Sequence, residues 1–278
     1  LPITHYQSHQ IEVVPVEKAG FNCVLNQKRV NPTMSRNIPI GFSQLIKLAW
    51  LDFTAQQKLK GHSQAEIRAA LDDFLSDQVS VGSNARRSSR QKAISILSKI
   101  WVNVPQSLES FRDEGLALLK RLPDSHIALH WGMAIVVYPF FAMAAENVGR
   151  LLRLQNDVST VQLQKRMREK MGERETVARA TRQLIRCWEQ WGVLTDTDKK
   201  GRYTATKAHT ITDAQLTTWL LEGALIASEG QSAVLHNLVN YTPGLFPFGL
   251  SSDYFTPNER LETFSQGVSE VSVAFKYN

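Results

Sequence analysis

The stretch at residues 175–192, ETVARATRQLIRCWEQWG, decides the reading of this chain. Val177, Thr181, Leu184, Ile185, Trp188 and Trp191 recur at the three- and four-residue spacing of one helical face, the pattern of a helix packed on a core. Arg179, Arg182 and Arg186 are also three and four residues apart, so one opposite face carries all three guanidinium groups. The spacing therefore predicts a helix with one buried side and one cationic side, with Cys187 near the buried one.

Downstream, Val193-Leu194, the turn-like DTDKKG at 196–201 and RYTAT at 202–206 predict a short hairpin tipped with Lys199, Lys200 and Arg202. Upstream, Ser159 stands three residues before Gln162, a capping-box pattern. Val161, Leu163, Met167 and Met171 then follow at roughly helical spacing, and Gly172-Glu173-Arg174 is a break. Helix, tight turn, second helix with a basic outward face, then a basic hairpin is the order of a winged helix-turn-helix.

Such a surface suits a phosphate backbone. Between 150 and 186 there are ten basic side chains (Arg150, Arg153, Lys165, Arg166, Arg168, Lys170, Arg174, Arg179, Arg182, Arg186) against four acidic ones (Asp157, Glu169, Glu173, Glu175), a surplus equal to the whole chain's formal net charge of +6. Gln183 and the arginines have the groups to read base edges, but the same arginines serve equally well on phosphates. Helical surfaces also carry Arg and Lys merely as a solvated face, and winged helices dock proteins as well as DNA.

Length and composition set the frame. A chain of 278 residues and 31.3 kDa is large enough for two or three compact units, and 43% apolar with 21% charged residues is ordinary for a globular protein. A pI near 9.3 favours an acidic partner. Cys23 and Cys187 cannot supply a disulfide framework, and the first residues show no cationic segment followed by an apolar signal core, so a cytoplasmic location is expected. The apolar run at 127–145, IALHWGMAIVVYPFFAMAA, is interrupted by His130, Gly132 and Pro139 and leads straight into charged residues. It reads as a buried central helix kinked at Pro139, with no membrane partner expected.

The remaining segments predict a mainly α protein with short β elements at the termini. Residues 1–40 form an N-terminal extension with short strands at 11–16 and 21–25. Residues 41–123 form a helix-turn-helix-like domain, with helices at 41–60, 63–79, 85–102 and 107–122. Residues 124–211 hold the winged helix, and 212–278 a C-terminal helical extension. Ser63 with Glu66 is a second capping box. Arg86, Arg87 and Arg90 at the start of the 85–102 helix add a second cationic patch to the candidate DNA contacts Arg174, Arg179, Arg182, Gln183, Arg186, Lys199, Lys200 and Arg202. In the extension, 212–228 and 232–240 read as helices, 243–249 as an apolar loop plugging its own core, 256–260 as a helix start, and 268–276 as a closing strand able to pair with the N-terminal strands.

Catalytic motifs are missing from the sequence: there is no GxxxxGK[ST], GxGxxG or GxSxG. His126 and His130 stand four apart, but without the Glu of HExxH they read as core or helix-end histidines. Asp72-Asp73, Asp113-Glu114 and Asp196 with Asp198 read as surface charge. No enzyme activity, cofactor, metal or small-molecule substrate is expected.

Three segments carry a resemblance: IRAALDDFLSDQVSVGSNARRSSRQKAISILSKIW at 67–101, IALHWGMAIVVYPFF at 127–141 and TRQLIRCWEQWGVLT at 181–195. In order and pattern, over roughly half the chain, they resemble the BrxA proteins of bacterial BREX phage-defence systems. The resemblance implies a non-enzymatic accessory protein that binds double-stranded DNA through helix-turn-helix-like domains, beside other defence-system proteins such as methyltransferase and ATPase partners. The competing expectation is a helical adaptor that uses the winged helix for protein docking, with Trp188, Trp191 and the 243–249 loop near the working surface.

Overall fold

A computed structural model describes residues 39–79, 88–240, 242–266 and 270–276. The strands expected at 11–16 and 21–25, Cys23, Arg86 and Arg87 lie outside the described residues. The described chain is mainly α-helical with short β elements. Helices α1 (Leu48–Leu59), α2 (Gln64–Phe74), α3 (Ser89–Trp101) and α4 (Glu109–Arg121) lead to α5 (His126–Val137) and α6 (Pro139–Gln155). Then come β1 (Val158–Ser159), α7 (Thr160–Met171), α8 (Glu175–Gln190), β2 (Leu194–Asp196), β3 (Arg202–Ala205) and β4 (His209–Thr210). The chain continues through α9 (Ala214–Ala227), β5 (Ser232–Val234), α10 (Leu235–Asn240), β6 (Phe248–Gly249), β7 (Leu261–Gln266) and β8 (Glu270–Phe275).

Local chemistry accounts for several boundaries. Ser63 and Glu66 close a reciprocal capping box on α2, and Ser159 and Gln162 close another on α7, each worth about 1 kcal/mol of helix stability. Pro139 removes an N–H and ends α5, so α6 departs at 116°. The apolar run at 127–145 is thus two buried helices, and among the described residues no single helix is long and apolar enough to cross a membrane.

Four expectations need correction. The 41–60 helix begins only at Leu48, because α8 and the residue after it engage the preceding backbone. Ile46 N–H donates to Cys187 Sγ, Ile46 O accepts from Trp191 Nε1 at 2.9 Å, and Leu48 N–H donates to Gln190 Oε1. Gly41 starts this extended segment at φ +65°, where a Cβ would lie 2.4 Å from the Tyr138 ring. The helix expected at 232–240 gives its first three residues to β5. Residues 256–260 are not helical: the Asn258 carboxamide oxygen accepts from the N–H groups of Arg260 and Leu261 and turns the chain into β7. Finally, β8 is the central strand of the order β5-β8-β7, antiparallel to both neighbours, so neither of its edges is open to the N-terminal strands.

The core is continuous from Phe42 to Phe248 and centres on Trp131, whose ring meets Phe141, Trp188, Trp191, Phe246 and Phe248. Trp131 Nε1 donates to Gly244 O at 2.9 Å, so the 243–249 loop does plug the core, satisfying a polar atom while covering aromatic rings. Trp188 and Trp191 are buried. That removes them from the surface where the adaptor reading had put them.

Candidate nucleic-acid interface

Strands β1, β3 and β2 form one antiparallel sheet in that order, with Val158 opposite Tyr203 and Thr195 opposite Thr204. The sheet anchors the β2–β3 hairpin to the start of α7. Helix α8 lies on α7, and Gln164 Nε2 donates to Ala178 O at 2.9 Å across the contact. The apolar face read from the sequence is the buried face: Val177, Thr181, Leu184, Ile185 and Trp188 are all inside. Cys187 sits among them, its thiol pushed up to about 12 by burial, which makes it an inert packing residue.

Arg179, Arg182 and Arg186 are exposed together on the other side of α8. Arg182 leans on Glu175 at 3.1 Å, and Arg168 of α7 reaches the same carboxylate at 3.6 Å. Both partners in the Arg182–Glu175 pair are more than half exposed, a screened contact that a stronger anion displaces at small cost. Among the described residues, neither Arg179 nor Arg186 has a carboxylate within ion-pair reach. Lys199 and Lys200 are exposed in the hairpin turn.

The other sequence candidates sit differently. Arg202 is at the base of the hairpin, where its Nε donates to Asp157 Oδ2 at 2.8 Å and its Nη2 to Asp157 Oδ1. This bidentate pair holds the Asp157 carboxyl below the usual range and occupies the Arg202 fork, so Arg202 is a brace for the sheet. Arg174 caps the end of α7 by donating to Met171 O at 3.0 Å. Gln183 is half-buried with its Oε1 turned inside and unpartnered, a poor position for reading base edges. Arg90 pairs with Asp72 of α2 at 3.0 Å, which makes it a tie between helices.

Near the end of α8 the field changes sign. Partial desolvation and the Asp196 carboxylate raise Glu189, with Arg186 opposing them, so acid at the helix end meets acid at the start of the hairpin. The most cationic part of the surface therefore runs from Arg179 past Arg182 and stops beside Arg186.

No known protein family, curated protein or solved structure matches this chain.

The histidine pair has a partner that the sequence did not reveal. Asp52 of α1 places Oδ1 2.8 Å from His126 Nδ1 and 2.9 Å from His130 Nε2, a cluster with the donor set of a metal site. Trp101 Nε1 donates to His130 Nδ1 at 2.9 Å, however, so Nδ1 is the acceptor and Nε2 carries the ring's proton toward Asp52. A metal on Nε2 would require an imidazolate. The cluster is better suited to clamping α1, α3 and α5.

A second network also escaped the sequence reading. Arg260 Nε donates to Glu222 Oε1 at 2.6 Å and its Nη2 reaches Glu114, joining the approach to β7 with α9 and α4. Glu222 is 1% exposed, so the guanidinium compensates a charge removed from water.

Proposed function

We propose that this protein binds double-stranded DNA, mainly through phosphates, by laying the exposed face of α8 along a groove while the β2–β3 hairpin grips the flanking backbone. The observation that carries the reading is the shared exposure of Arg179, Arg182 and Arg186 on one face of α8, with Lys199 and Lys200 at the tip of the hairpin that follows it. The order α6, β1, α7, α8, β2, β3, with β3 between β1 and β2, suits a winged helix. Five cations remain on this surface once Arg202 and Arg90 are assigned to internal ion pairs and Arg174 to the end of α7, with Arg86 and Arg87 outside the described residues. Their exposed side chains suit contacts to phosphate, and the inward turn of Gln183 argues against extensive base reading.

In this account the protein is an accessory binder that performs no chemistry. A role in a BREX-like phage-defence system, beside other defence proteins, rests on the three-segment resemblance alone. The docking alternative loses its main support with the burial of Trp188 and Trp191. A mobility-shift assay on a duplex with Arg179→Glu/Arg182→Glu tests the proposal. Binding should be lost while the far-ultraviolet dichroism and unfolding midpoint stay those of the parent, and undiminished binding would refute it.

A further inference from the structure

The cations on α7 are not all on one side of the helix. Gln164 and Arg168 face α8, as their contacts to Ala178 O and Glu175 show. Arg166 and Lys170 lie toward the opposite flank and, with Lys165, line an open groove of about 510 Å³ against Asn147, Arg150 and Leu154 of α6; Glu169 also lines it, so three cations of α7 outnumber one carboxylate there. Helical geometry sets 166 and 170 roughly 120–160° around α7 from 164 and 168, with 165 between the two sets.

This second groove differs chemically from the α8 surface. Among the described residues, Lys165, Arg166 and Lys170 have no ion-pair partner, while Arg150 pairs with Glu146. Leu154 is 77% exposed and Val161 74%, the two most exposed large apolar side chains among the described residues. Leu154 lines the groove, together with Gln155 and Gln162, which are joined by a hydrogen bond; Val161 is not among the lining residues. A phosphate backbone offers nothing to cover an exposed leucine. A protein helix with acidic and apolar residues matches both features.

We infer that the α6–α7 groove is a docking site for an acidic amphipathic helix of a partner protein, separate from the DNA-binding face. Glutamates or aspartates of the partner would pair with Lys165, Arg166 and Lys170, and a leucine-like anchor would cover Leu154. The inference stands without the DNA reading, because it uses none of the α8 cations.

Fluorescence anisotropy on the full chain tests it with three labelled probes: a helical peptide of glutamates with leucines at three- and four-residue spacing, the same peptide with serine for leucine, and a short duplex. The leucine peptide should bind saturably and at least about tenfold more tightly than the serine peptide, the worth of covering one or two apolar side chains. Both Leu154→Ser and Lys165→Glu/Lys170→Glu should weaken it by a similar factor, and Leu154→Ser should leave duplex binding unchanged. These side chains are exposed, so neither variant threatens the core. Equal binding of the two peptides, no saturable peptide binding, or loss of duplex affinity in Leu154→Ser would each overturn the inference, the last by giving the groove to DNA.

Discussion

Trp101 donates its indole N–H to Nδ1 of His130 at 2.9 Å, with both rings buried, and this one bond sets the protonation state of the ring. The neutral His130 then donates from Nε2 to Asp52, and His126 shares the same carboxylate oxygen. Three helices are tied through four side chains.

This relay makes the fold acid-sensitive. Burial depresses His130 below its ordinary value of 6.5 despite Asp52. For Asp52, burial would raise the carboxyl, but the hydrogen bonds and charge of the two histidines outweigh it and hold it below 3.8. Both folded values lie below the unfolded ones, so the unfolded chain binds more protons and stability falls on acidification, below about pH 6.5 through His130 and below about pH 4 through Asp52. Urea unfolding at about pH 7 and about pH 5 should show a drop in midpoint that His130→Gln reduces. An unchanged drop in that variant would exclude His130 as its source.

The Arg202–Asp157 pair predicts an unusual gain. Asp157→Asn should free the Arg202 fork for phosphate and remove a negative charge beside the hairpin, raising duplex affinity several-fold and steepening the salt dependence by about one unit of slope. Weaker binding would mean that bracing the sheet matters more than the freed cation.

Gly149 of α6 passes so close to the 243–249 loop that an added Cβ would lie 1.9 Å from Pro243 O. Backbone cannot move aside as a side-chain tip can. Gly149→Ala should therefore destabilise the fold by about 1–3 kcal/mol, read as a lowered urea midpoint, whereas the same change at the uncrowded Gly61 should be governed by its φ of +80° alone.

Glu222→Ala should leave Arg260 with a single carboxylate partner and cost about 3–5 kcal/mol. Glu114→Ala, at a half-buried position, should cost less. A reversed order in denaturant titrations would reject the placement of the buried charge at Glu222.

Much of this architecture is legible in local sequence because the signals are local. Ser63 with Glu66 and Ser159 with Gln162 mark helix starts, Pro139 marks the bend, and the alternation of arginines with aromatic and aliphatic residues in α8 separates its two sides. Contacts between distant residues are not written this way. Asp52 lies 74 and 78 residues from its histidines, Arg260 lies 146 from Glu114, and Ile46 meets Trp191 across 145. The same limit explains the site residues: Arg202, Arg90 and Gln183 look free as isolated side chains, and only the fold brings Asp157, Asp72 and the α8 interior to them. The two cationic sides of α7 also merge into one surplus when charges are merely counted along the chain.

The most direct test of the central claim is the salt dependence of duplex binding. With Arg179, Arg182, Arg186, Lys199 and Lys200 on phosphates, log K should fall against log salt with a slope of about −4.5, a loss of roughly 500-fold between 50 and 200 mM. Charge reversal at Arg179 and Arg182 should flatten whatever binding remains. A slope near zero in the parent chain would contradict the account.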